Sequence, residues 1–153
     1  MKKYENLTAN IGIILKTIRL MDRYIHGFQI RKIFPFHLFL GTPDWEGYIR
    51  ILENSDQDLK AQAHFIKQEL KKKPLTPIST YLIELELTFQ IIRNMIQALS
   101  QSCQLHRDRF FESHSVKLSE LQRAIAHYQD CDKKFQSKAP KLRSLYQDML
   151  ESK

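Results

Sequence analysis

The chain has 153 residues, enough for one domain with a substantial core, and its 42% apolar and 27% charged residues exclude intrinsic disorder. Four glycines are few for a sheet protein built on tight turns, and two cysteines are too few for a secreted disulfide framework. A formal net charge of +7 admits a polyanionic partner, whether nucleic acid, an acidic peptide tail or a membrane surface, although charge of this size also serves plain solubility.

The first helix is read from Leu7, Ile11, Ile14, Ile18, Met21 and Ile25, which recur at steps of four and three and form one apolar seam. Lys16, Arg19 and Arg23 fall off that seam and are expected in solvent, and Gly27 is expected to stop the helix. Residues 28–41 are densely apolar with Pro35 in their middle, so a packed crossing segment is expected there rather than a continuous helix. Thr42, Pro43 and Asp44 read as N-cap, first helical residue and first-turn acid of the next helix. Its seam runs through Trp45, Ile49, Leu52, Leu59, Ala63, Ile66 and Leu70, with Asp56 in one slot. The Ser55–Asp58 run leaves open whether residues 43–73 form one helix or two. Lys71, Lys72 and Lys73 suit a C-terminus ended by Pro74.

Thr76 and Pro77 start a third helix with a strict seam of Leu82, Leu85, Phe89, Ile92, Ile96, Leu99 and Cys103. Ile83, Leu87, Ile91 and Met95 add a second apolar side, which places this helix at the centre of a bundle. The last helix begins near Val116 and carries Leu118, Leu121, Ile125, Tyr128 and Phe135 inward; Pro140 is expected to break or kink it at 139–141, before Leu142, Leu145, Met149 and Leu150. The expected fold is all-α, a four- to five-helix antiparallel bundle in a single domain over residues 1–153.

The positive charge is uneven. Residues 1–33 hold seven basic and two acidic groups, and residues 105–153 hold ten and seven, whereas the middle of the chain is balanced or slightly acidic. The excess at the two ends would form one basic face if antiparallel packing brings those ends together. Lys16 interrupts the apolar run from Ile11 to Leu15, so no secretory signal is visible, and no run approaches the roughly 20 apolar residues of a membrane span; a cytoplasmic protein with no membrane association is expected.

Few constellations carry chemistry. Cys103 with His106, and His127 with Cys131, are spaced like helical ligand pairs. They would approach a zinc site if a hairpin near residues 113–117 set them at one height. Cys103 already sits on a core seam, so no metal and no cofactor are expected. His106-Arg107-Asp108 copies a kinase tripeptide without any other kinase element, and no phosphate loop, nucleophile elbow or dinucleotide fingerprint is present, so no catalytic activity is expected. Basic and aromatic side chains interleave late in the chain, at Arg107, Arg109, Arg123, Tyr128, Lys133, Lys134, Lys138, Lys141 and Arg143. A cationic track with ring faces suits single-stranded nucleic acid.

Several segments, in order, resemble the primosomal replication protein N″ (PriC) family. Phe34-Pro35-Phe36-His37-Leu38-Phe39 is similar to its F-D-x-x-L-F signature, with Pro35 replacing the acid. Tyr48–Glu53 resembles its Y-L-x-E helix, Tyr81–Gln90 its W-L-A-E helix, and His127–Phe135 its H-x-(F/Y)-E-R-R-L segment. The resemblance implies a replication-restart factor that binds single-stranded DNA and the acidic tail of single-strand DNA-binding protein, and that promotes loading of the replicative helicase. It also implies that Lys133 and Lys134 stand where the family has paired arginines for that tail. The alternative reading is a non-enzymatic interaction module (an adaptor, secretion chaperone or effector fragment) that docks through residues 28–41.

Overall fold

A computed structural model describes residues 1–27, 41–112 and 114–152, and among these every regular element is an α-helix. The apolar stretch at 28–40, with the expected crossing segment and the Phe34–Phe39 motif, lies outside the described residues.

Helix α1 spans Lys2–His26 and buries Tyr4 together with all six residues of the expected seam. It stops at Gly27, whose N–H donates to the Arg23 carbonyl at 2.9 Å. A Cβ at Gly27 would sit 2.2 Å from that same oxygen, so only glycine fits. Gly12, by contrast, is in mid-helix, and an added Cβ would meet nothing within 4 Å. Gly12→Ala is therefore expected to stabilise the protein by about 1 kcal/mol through helix propensity alone. That should raise the melting temperature by roughly 2–4 °C. An unchanged or lower melting temperature would refute this account of Gly12.

Helix α2 spans Trp45–Lys71 without a break. Asp44 itself is the N-cap, two residues later than the sequence pattern placed it, because its carboxylate accepts the Gly47 N–H at 3.0 Å. The Ser55–Asp58 run starts no second helix. The Ser55 hydroxyl donates back to the Ile51 carbonyl at 2.9 Å, while Asp56 faces outward to Lys60 at 2.8 Å and to Arg93 of the next helix at 3.2 Å. The chain leaves α2 through Lys73, which has φ of 51° ahead of Pro74.

Helix α3 spans Thr76–Phe111 with Pro77 in its first turn. All seven residues of its expected seam are buried. The second side is met only in part: Met95 is buried and Ile91 half-buried as expected, but Ile83 and Leu87 are 50% and 59% exposed, and Tyr81, Glu84, Thr88, Ala98 and Ser102 are buried instead. The more polar flank faces inward because its polar groups find partners. The Thr88 hydroxyl donates to the Glu84 carbonyl at 2.8 Å, and the Tyr81 hydroxyl pairs with Thr8 at 2.8 Å.

Helix α4 spans Leu118–Glu151, opened by a hydrogen bond of 2.8 Å from the Lys117 N–H to the Glu120 carboxylate. It runs through Pro140 as one helix, so Pro140 does not break it. Pro140 and Gln136 are both exposed, so the carbonyl that loses its N–H partner reaches water.

Cross-helix contacts set the topology. Thr8 meets Tyr81 and His26 meets Ser102, so α1 runs parallel to α3. Tyr4 meets Glu69 and Lys138 meets Glu84, so α2 and α4 run opposite. Helix α3 packs against each of the other three, as its two-sided burial demands, and the described residues form an all-α antiparallel bundle of four helices.

Candidate polyanion-binding face

Most of the late-chain cations have partners within the fold. Arg123, Lys134, Lys138 and Lys141 share one flank of α4 by helical spacing. Lys138 and Lys141 both reach the buried Glu84, at 2.9 and 2.5 Å, and hold its carboxyl below the usual range, Lys141 most strongly. Lys134 pairs with Asp130 at 2.9 Å. Arg107 binds Glu46 of α2 at 2.7 Å and Asp108 at 3.1 Å, and Arg109 donates to the Val116 carbonyl at 2.9 Å, fastening the α3–α4 connection. Tyr128, expected to stack on a base, is only 2% exposed and belongs to the core. Its ring sits 5.6 Å from that of His26, and burial pushes its phenol upward in pKa.

A second set of cations lies on the face shared by α1 and α4. Gly12, Lys16, Arg19 and Arg23 form one stripe of α1 at steps of four, three and four. Asp132, Gln136, Ala139 and Arg143 form the matching stripe of α4. Arg19 and Asp132 bridge the two helices at 2.7 Å. Lys133, one residue past Asp132, turns outward by about 100°. Lys16, Arg23, Lys133 and Arg143 are exposed and form no ion pair among the described residues. The basic ends of the chain are thus brought to one face, but α1 supplies more of it than the late-chain track foresaw. The signal for Lys16, Arg19 and Arg23 was present in the excess charge of residues 1–33.

Residues of α1, α3 and α4 line a groove of about 390 Å³. Its floor is apolar, with Ile11, Leu15, Leu85, Ile92, Phe135 and Leu142, and Thr8, Tyr81, Tyr146 and Arg143 are the polar residues of its lining.

At the other end of the bundle the zinc pairs do not converge, and among the described residues no three His, Cys, Asp or Glu side chains form a metal-holding group. The contacts of Arg109 with Val116 and of Glu84 with Lys138 fix a register in which Cys131 lies near the level of residue 94. That is about nine residues, or roughly 13 Å, along the axis from Cys103. Both cysteines are core residues. Asp22, His26 and Ser102 do form a chain: His26 Nδ1–H donates to Asp22 at 2.7 Å, and Nε2 meets Ser102 Oγ at 2.6 Å. The order is that of a serine-nucleophile relay, but Ser102 has no solvent exposure, so the chain ties α1 to α3.

Among the described residues no helix is long and apolar enough to cross a membrane. Compared with family models, curated proteins and solved structures, the chain matches none.

Proposed function

We propose that this bundle is a replication-restart factor that reads acidic partners along its α1–α4 face: the acidic tail of single-strand DNA-binding protein, and single-stranded DNA through its phosphates. The observation that carries the proposal is the gathering of Lys16, Arg19, Arg23, Lys133 and Arg143, from opposite ends of the chain, with only Arg19 locally neutralised. The likeness to the PriC family supplies the biological context, including a role in loading the replicative helicase. With Tyr128 in the core, the face offers charge rather than stacking platforms. This favours the acidic tail over base recognition and makes DNA binding strongly salt-dependent.

Fluorescence anisotropy with oligo-dT and with an acidic tail peptide tests the reading. DNA affinity is expected to fall with salt at a slope of about −0.7 per neutralised phosphate. Reversing Lys16, Arg23, Lys133 and Arg143 to Glu should weaken both ligands on the order of a hundredfold, at somewhat under 1 kcal/mol per exposed charge. Lys134→Glu should have far less effect, because Asp130 already neutralises it. Salt-independent binding, or equal losses from both sets of variants, would defeat the proposal.

An interaction-module reading is favoured by a different feature: Ile13, Leu20 and Tyr24 lie exposed along one outer stripe of α1. Ile13→Ser with Leu20→Ser should leave nucleic-acid and tail binding intact; if those substitutions abolish it, the stripe and not the charged face is the contact surface.

A further inference from the structure

We infer that the groove between α1 and α4 is a binding pocket for an amphiphilic carboxylate, an aliphatic acid of medium chain length. The inference goes beyond the polyanion reading and does not depend on it.

The pocket is polarised along its length. One end carries the Thr8–Tyr81 hydroxyl pair at 2.8 Å, the Tyr146 hydroxyl and the Arg143 guanidinium. The other end, roughly two to three helical turns along, is made by Leu15, Ile92 and Phe135. Among the described residues Arg143 is the only charged one in the lining, no carboxylate lines the groove to neutralise it, and Arg143 has no ion pair. An elongated ligand with one anionic head and an apolar tail matches that order, the head on Arg143 and the Tyr146 hydroxyl, the tail over the floor. Its volume of about 390 Å³ falls within the roughly 300–1,000 Å³ usual for small-molecule sites. From Thr8 to Leu15 the groove extends roughly 10 Å along the helix axis, the reach of a medium acyl chain. Gly12 and Ala139 face each other across the gap, and the open space beside Gly12 keeps it from closing.

Titration calorimetry on the full chain, with decanoate below its micellar concentration, tests the inference. Decanoate should bind saturably, one per chain, while decanol should bind at least about tenfold more weakly and decyltrimethylammonium weaker still. Arg143→Gln should reduce decanoate to the affinity of decanol. Gly12→Leu, which projects into the gap, should abolish uptake without lowering the melting temperature or the affinity for oligo-dT, since it removes no charge. Failure of the polyanion reading would show in the oligo-dT measurement alone. Decanol binding as tightly as decanoate, or uptake that survives Gly12→Leu, would overturn the assignment. So would an absence of decanoate binding alongside an acidic helical peptide whose binding Gly12→Leu removes, since that would give the groove to a partner helix.

Discussion

Removing both lysines that reach Glu84, as Lys138→Ala with Lys141→Ala, is expected to destabilise the protein by about 3 kcal/mol. Glu84 is only 5% exposed, and its two carboxylate oxygens are held by Lys138 Nζ and Lys141 Nζ respectively. Without them the bundle keeps a desolvated anion between α3 and α4. The figure sits at the low end for a broken buried pair because Lys141 is 61% exposed and part of its charge is already shared with water. For a chain of this length the loss corresponds to roughly 6–12 °C in melting temperature. Glu84→Leu is the informative contrast. It leaves two lysines that can turn into solvent, so the change should stay within about 1 kcal/mol. Urea titration of the three proteins measures both effects, and a double-lysine variant as stable as the parent would show that Glu84 is not stabilised by these contacts. The result also bears on function: weakened DNA binding by Lys138 or Lys141 variants would report a loosened α4 before it reported a lost phosphate contact.

That double role explains how far the sequence could be read. Periodicity placed the α1 seam and the α3 seam residue by residue, because a helix packed on one side leaves a unique 3.6-residue signature. It misjudged part of the second side of α3, where Ile83 and Leu87 look more suited to burial than Glu84 and Thr88. A buried carboxylate is recognisable only through its counter-ions, and those lie 54 and 57 residues away in the chain. The same long-range pairing divided the basic track. Lys138 and Lys141 are consumed by Glu84 and Arg107 by Glu46, whereas Lys16 and Arg23, which read as ordinary solvated residues, join the open face. Charge counted by segment left room for the ends to combine, but which cations stay available depended on acids that only the fold brings near. Whether the two Cys–His pairs could meet was undecided by the sequence for a related reason. Spacing within each helix fixes a shared face, but the height between helices follows from the register of the hairpin, and the sequence did not reveal that register.

Acid should act on the second buried carboxylate in a predictable direction. Glu69, 3% exposed, receives Lys3 and Lys72 from opposite sides and the Tyr4 hydroxyl at 3.0 Å. Those contacts, Lys3 foremost, hold its carboxyl down at about 2, against an ordinary value of 4.5, despite burial acting the other way. A carboxylate whose folded pKa lies below its unfolded value stabilises the fold at neutral pH. The contribution fades as pH falls, because below about 4.5 the unfolded chain takes up a proton that the native state refuses. The loss should therefore run from about pH 5 to about pH 2. Its size is on the order of 2 kcal/mol, reduced from the full shift because Lys3 and Lys72 are 48% and 65% exposed. Glu69→Gln should be less stable than the parent at neutral pH and should converge with it near the acid end of that window. Adding Glu84→Gln should flatten the remaining slope, since the Glu84 carboxyl is depressed by the same kind of contact. Chemical denaturation across this range reads the outcome. Parallel pH curves for the parent and Glu69→Gln would mean that the Lys3–Glu69–Lys72 cluster joining α1 to the end of α2 does not persist in solution.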